Sequence, residues 1–271
     1  MKKVNLLQAG AAVLVLTTCS SINAFAETRS NFDTVRDYII GGQTVSASDI
    51  IAATTVMVTD GNFICTGSII AQDIVVTAAH CTAAQAENLR IVFTRQMPDD
   101  MTTVSDTVHD IYGFVANPGW QGEQSTGVDQ HDIAIIRFKG SLPSGYQVAA
   151  LLPNSSVLEK GESVTLAGYG ITDAASQAGA GLLRRVDVPV LKKLGKTEEV
   201  LDQSQGTGAC HGDSGGPAFA TVGGKLLLWG VTNRGYPDNA PDDCVHESVY
   251  TRITAYTDFI NQAAEQLRQQ Q

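Results

Sequence analysis

The sequence predicts an all-β protein built as two small barrels followed by one C-terminal helix, and three observations lead there. Short β-rich runs recur between turn residues, they fall into two sets, and only the end of the chain carries helical periodicity. The first set is Thr55 to Val58, Phe63 to Ile70, Ile74 to Thr77, Leu89 to Thr94 and Ile133 to Phe138. Gly140 to Asn154, rich in Gly, Pro and Ser, reads as a connector. The second set is Ser163 to Ala167, Leu182 to Leu191, Pro217 to Ala220 and Leu226 to Thr232, with Gly223-Gly224 offering the positive-φ turn of a tight hairpin. From about Ala255 to Arg268, Phe259, Ile260, Ala263 and Leu267 recur near the helical repeat and give one apolar stripe.

A chain of 271 residues, 43% of them apolar, is long enough to bury a full core as one large or two fused small domains. Residues 1–26 read as an export signal: Lys2 and Lys3 form a positive start, Val13 to Leu16 lies in an apolar stretch, and Ala24-Phe25-Ala26 is a small-x-small cleavage site. A competing reading makes Leu16-Thr17-Thr18-Cys19 a lipoprotein signal, although threonine just before the cysteine fits it poorly. No later stretch approaches about 18 continuous apolar residues, so no membrane span is expected. Discarding Cys19 with the signal leaves Cys65, Cys81, Cys210 and Cys244, an even set suited to disulfides in an oxidising compartment, periplasmic or extracellular. Removing Lys2 and Lys3 takes the formal net charge from −10 to −12, which argues against nucleic acid or an anionic membrane as partner. No repeat, metal-type Cys/His spacing or phosphate-cradling loop occurs, and neither a metal nor an organic cofactor is implied; no calcium-ligand run is evident.

The chemistry lies in short blocks: Thr77-Ala78-Ala79-His80-Cys81, His131-Asp132-Ile133-Ala134 and Gly212-Asp213-Ser214-Gly215-Gly216-Pro217, preceded by Ile39-Ile40-Gly41-Gly42. A serine hydroxyl is a weak nucleophile, so a base must take its proton during attack and must itself be held in one tautomer. In order and spacing the four blocks resemble the chymotrypsin/trypsin family of serine proteases, here an exported bacterial member, over essentially all of residues 39 to 268. The resemblance implies a trypsin-like fold of two six-stranded antiparallel Greek-key barrels with a C-terminal helix. The barrels would occupy about 39–145 and 146–254, and the helix about 255–268, of a peptidase domain spanning 39–271.

The resemblance also implies roles. Ser214 attacks, His80 shuttles the proton, Asp132 orients the imidazole, and the N–H groups of Gly212 and Ser214 form the oxyanion hole; this family is the type case of that arrangement. Cys65 pairs with Cys81, and Cys210 with Cys244. Glu27 to Tyr38 becomes an activation segment, and cleavage after Tyr38 frees the Ile39 α-amino group to pair with Asp213. Tyr38 departs from the Arg or Lys common at this bond, so the activating protease is expected to accept aromatic residues; cleavage after Arg36 followed by trimming is the alternative.

Specificity for the P1 residue, the one before the scissile bond, is less sharply written. The resemblance puts the pocket base six residues before Ser214, at Gly208, beside Ala209, so the acid that selects Arg or Lys in such enzymes is missing. The substrate-pairing strand aligns in two ways, through Trp229-Gly230 or through the longer Leu228 to Gly235. The second is adopted; it puts Asn233 near the catalytic aspartate, Arg234 where tryptophan is usual and Gly235 at the pocket wall, with Ser248 on the opposite wall. A small or apolar P1 is expected first. An acidic P1 is the second reading, prompted by Arg234, His211 and His246, although Arg234 could equally be a solvated surface residue. His211 is placed beside substrate and His246 near the pocket or on the surface, whereas His109 and His131 read as ordinary loop residues.

Two rivals remain. Gly212-Asp213-Ser214-Gly215-Gly216 also satisfies the nucleophile elbow of α/β-hydrolase esterases, but that fold needs its acid and histidine after the serine, and here only His246 follows. A protease-like binding module without activity is the other, since a fold alone does not establish chemistry. The expected partners are protein or peptide substrates and an activating protease, with the chain working as a monomer.

Overall fold

A computed structural model of the chain describes residues 39–99, 105–122, 126–241 and 243–270. The expected signal, the activation segment and Tyr38 lie outside the described residues. The chain enters through a two-residue strand β1 (Gln43–Thr44) and a short helix α1 (Ile50–Thr54), whose first turn is capped by the Asp49 carboxylate accepting from Ile51 N. Six strands then close the first barrel: β2 (Thr55–Thr59), β3 (Ile64–Ala71), β4 (Ile74–Thr77), β5 (Arg90–Val92), β6 (Val108–Ala116) and β7 (Ala134–Phe138). They pair antiparallel in the order β2-β3-β4-β7-β6-β5. Val, Ile and Thr dominate β2 and β4, and every residue of both is buried, so these strands have protein on both faces.

The connector at 140–154 leads to the second barrel, made of β8 (Ser163–Gly168), β9 (Arg184–Leu194), β10 (Glu198–Asp202), β11 (Pro217–Val222), β12 (Lys225–Tyr236) and β13 (Glu247–Arg252). Their antiparallel order is β9-β10-β13-β12-β11-β8, and β8 pairs with β9 to close the ring. Gly223 and Gly224, at φ 58° and 75°, form the expected two-residue turn between Val222 and Lys225. Trp229 and Tyr250 fill this barrel's core with Val164, Leu166, Val188 and Leu201.

The termini cross over. β1 pairs with β9 of the second barrel through Gln43 and Thr44 opposite Arg185 and Arg184. At the other end a 3-10 turn (Ile253–Tyr256) runs into helix α2 (Thr257–Gln269), which packs on β6 and β7 of the first barrel. Its buried stripe is Ile260, Ala263 and Leu267, as the periodicity predicts. Arg137 on β7 ties down the helix end, donating from Nη1 to Leu267 O at 3.0 Å and from Nε to Asp73 Oδ2 at 3.1 Å. No helix among the described residues is long and apolar enough to cross a membrane.

The β-rich runs read from the sequence leave out β6 and β10. Their residues explain the omission: β6 interleaves His109, Asp110 and Gly113 with its apolar positions, and β10 opens on Glu198-Glu199. His109 accordingly is no loop residue. It is a buried member of β6, edge-on to Phe93 at 4.8 Å between ring centroids, with Nδ1 against Lys139 O at 2.7 Å. Since α2 has no strand partner and is held by its apolar stripe, Leu267→Ala should cost about 2–5 kcal/mol of stability, read as a lowered urea midpoint with the slope unchanged.

Candidate active site

The two barrels meet along a cleft of about 500 Å³ lined by His80, Asp132 and Ser214. His80 opens a 3-10 turn (His80–Thr82) directly after β4, and its neighbour Cys81 is bridged to Cys65 of β3. Asp132 is buried. It accepts His80 N on Oδ1 at 2.9 Å and lies 2.6 Å from His80 Nδ1 through Oδ2. A carboxylate only accepts, so Nδ1 carries the proton and Nε2 is left as the basic nitrogen.

The loop that delivers Asp132 is unusual. Asp129 and His131 take left-handed backbone at φ 56° and 58° without being glycine. Both are held by partners. The Asp129 carboxylate accepts from Lys196 N at 2.8 Å and from Thr197 N and Oγ1 at 2.7 Å each, on the turn between β9 and β10. The His131 ring meets Tyr256 Oη at 2.8 Å, just ahead of α2. Thr251 Oγ1 on β13 donates to the Asp132 carbonyl at 3.1 Å. His131 is therefore a loop residue with a positioning contact, and the second barrel fixes an acid that belongs in sequence to the first.

Ser214 sits on a tight turn between Gly212 at φ 96° and Gly215 at φ 78°. A Cβ on Gly215 would fall 2.9 Å from Ala78 N, so the turn needs glycine there. The clamp comes from β3: Thr66 N donates to Ser214 O at 2.8 Å and Thr66 Oγ1 to Gly212 O at 2.9 Å. Between them the Asp213 side chain turns inward and is buried, its Oδ1 accepting from Gly170 N at 2.8 Å and its Oδ2 from Cys210 N at 2.9 Å. Burial pushes the Asp213 carboxyl up to about 7, and the Cys210 and Gly170 N–H groups and Arg184 offset only part of that cost. Gly168-Tyr169-Gly170 makes the room: a Cβ on Gly168 would collide with the Asp213 carboxylate, and one on Gly170 would fall 2.5 Å from Oδ2. The only sequence signal for this cradle was a Gly-x-Gly at the end of a strand, and Thr66 gave none.

Ile39 is buried in the core of the second barrel, and the Ile40 carbonyl accepts from Gly208 N at 2.9 Å. Of the residues expected to touch substrate, Ala209, His211, Asn233, Arg234, Gly235 and Ser248 all line the cleft, as does His246. Gly208 does not; the buried side chain of Gln203, which the sequence reading passed over, lines the cleft instead. Trp229 lies in the barrel core and does not line the cleft.

Arg234 is neither a solvated surface residue nor a free cation. Its side chain is 16% exposed and pairs with the fully buried Glu198 through Nη1 at 3.1 Å. It also pairs with Asp238 at 3.3 Å and donates to Gly127 O at 2.7 Å. Turned so that its oxygen accepts from Arg234 Nη1 at 3.1 Å, the Asn233 amide donates to Asp132 Oδ2 at 3.1 Å. A Glu198–Arg234–Asn233 chain thus ends on the carboxylate that holds His80.

The second disulfide joins Cys210 to Cys244 beside the cleft. His80 lies beside Cys65 and Cys81, and His211 beside Cys210 and Cys244, but these sulfurs are bonded to one another and offer no thiolate to a metal.

A buried acid, a histidine and a serine on a glycine turn, meeting where two antiparallel barrels abut, make up the apparatus of a serine endopeptidase. The chain belongs to the trypsin family, whose sequence profile, Trypsin, matches residues 39–260. It is 28% identical to CLIP domain-containing serine protease B4 of Anopheles gambiae over 83% of this chain and 69% of that one. Against chymotrypsin-like elastase family member 1 of Bos taurus the identity is 26% over 93% and 98%, and against brachyurin of Leptuca pugilator it is 27% over 74% and 88%.

The Asp213 carboxyl carries a pH signature while residue 38 is still attached to Ile39. Its pKa rises from the usual 3.8 to about 7 on folding, so the folded state favours the protonated acid. That contribution is complete below about pH 4 and is lost as pH rises through about 7. Urea midpoints of the uncleaved chain should fall over that window, and Asp213→Asn should flatten the fall. Gly170→Ala should destabilise the chain and abolish activity at every pH.

Proposed function

We propose that the chain hydrolyses peptide bonds through an acyl-enzyme intermediate, with Ser214 as nucleophile, His80 as general base and then acid, and Asp132 as the group that fixes the imidazole. The observation that carries this is the 2.6 Å contact between His80 Nδ1 and a buried Asp132, opening on the same cleft as Ser214. His80 takes the Ser214 proton as Oγ adds to the substrate carbonyl. The imidazolium then gives that proton to the leaving amine, and a water repeats the sequence to release the acid. The carbonyl oxygen, negative in the intermediate, is received by the N–H groups of Gly212 and Ser214. Asp213 N–H, between them, is turned inward to Cys210 O at 3.0 Å. Losing one such donor costs about 2.7–4 kcal/mol of transition-state stabilisation.

Synthesis as a precursor belongs to the same proposal. Asp213 is a buried acid whose charge lacks a full counterion, and cleavage after Tyr38 would supply one in the Ile39 ammonium. Burying a carboxylate unpaired is costly, and pairing makes its charge tolerable, so the oxyanion turn becomes firm only after cleavage. Export rests on the leader pattern in residues 1–26 and on two disulfides that need an oxidising compartment. For P1 we favour small or apolar residues. No acid stands at the pocket base, and the pairing of Arg234 with Glu198 and Asp238 weakens the reading in which it attracts an acidic P1.

Labelling with a fluorophosphonate tests the reading most directly. Protein beginning at Ile39 should label, while the precursor and Ser214→Ala should not; a folded, Ile39-started chain that fails to label would sink the protease proposal. Asp132→Asn should lower kcat about 10⁴-fold with little change in substrate binding. Activity of the cleaved enzyme should fall at alkaline pH, above the ordinary α-amino range of about 7.7–8.0, as Ile39 loses its charge.

A further inference from the structure

Gly208 holds the position at which this arrangement would carry a pocket-base side chain, yet it has none to offer. The space is nonetheless filled. A Cβ built on Gly208 would fall 2.5 Å from Gln203 Oε1 and nearer still to Gln203 Cδ, so the Gln203 carboxamide occupies the volume into which a residue at 208 would project. Gln203 follows β10, is 2% exposed and lines the cleft together with Ala209, Cys244 and Ser248. Its amide is fixed at both ends. Oε1 accepts from Ala209 N at 2.9 Å, and Nε2 donates to Ala209 O and to Cys244 O, each at 3.1 Å. A primary amide has two N–H groups, and both are used.

From this geometry we infer that Gln203, reaching in from just past the end of β10, is the specificity-determining floor of the P1 pocket. This rests on the protease reading above and deepens it. The floor carries no charge. Its N–H donors are committed to protein carbonyls, so a P1 acid finds no donor there, and the neutral amide offers a P1 base no counter-charge. The carboxamide also shortens the pocket by the length of its own side chain, so the preferred P1 residue is uncharged and compact. Selection of the family's usual kind, by a residue six before the nucleophile, is replaced by selection from a residue eleven before it.

The test is a P1 library profile of Ile39-started wild type, Gln203→Ala and Gln203→Met, with rates normalised to the fraction labelled by a fluorophosphonate. Gln203→Ala opens the floor, and a pocket longer by even one methylene shifts discrimination by roughly 10–200-fold. Its ratio of Phe or Tyr to Ala or Val at P1, as kcat/KM, should rise tenfold or more, with the change mainly in KM. Gln203→Met keeps the length and loses the hydrogen bonds, and should keep the wild-type rank order. An unchanged ranking in Gln203→Ala would overturn the inference. So would loss of labelling in both variants, because the amide would then serve the folding of the oxyanion turn instead of selecting substrate. Failure of the wild type itself to label would fall on the protease reading.

Discussion

Burial of one negative charge governs this architecture. Asp213 lies within the turn that presents Ser214, and its carboxylate is driven inward where water cannot reach it. Two backbone N–H groups, a Gly-x-Gly strand end stripped of side chains and the Arg184 guanidinium make the location survivable without making it comfortable. The turn that carries Ser214 is arranged about that carboxylate: the left-handed glycines, and the contact with Cys210 and hence the second disulfide. A turn built on an incompletely compensated charge is one that a new cation can tighten.

The groups proposed for catalysis are shared between barrels in a reciprocal way. His80 and Asp132 come from the first barrel, but Asp132 is steered by Asp129, His131 and Thr251 through residues of the second barrel and of the approach to α2. Ser214 comes from the second barrel, but its turn is clamped by Thr66 of the first. Each barrel thus sets the geometry of the other's contribution. A change in their mutual packing is felt at once in the alignment of Ser214 with the His80 ring.

The fold and the candidate site were legible in the sequence because both rest on local signals. Alternating β-branched runs, the Gly223-Gly224 turn and the helical stripe of Ile260, Ala263 and Leu267 each specify their element without help from afar. His80, Asp132 and Ser214 stand in compact motifs. What escaped depends on contacts between distant segments. Glu198-Glu199 looks unlike a strand until β9 and β13 flank it. The pairing of Arg234 with Glu198 joins residues 36 apart in the chain. Gln203 lies in a polar run whose neighbours give no hint that one amide turns inward. Gly208 misleads for another reason: an absent side chain does not say what fills its place.

The crossed termini have a consequence for how such a protein can be taken apart. β1 adds an edge strand to the barrel it precedes by more than a hundred residues, and α2 covers the barrel furthest from it in the chain. The six strands of each barrel are contiguous in the chain, but each barrel takes a flanking element from the far end of the polypeptide. Cutting the gene at the 140–154 connector would give one fragment lacking its helical cover and another lacking its edge strand. Recombination would therefore exchange this unit whole, and diversification would be confined to loops and pocket side chains that can vary without crossing the seam.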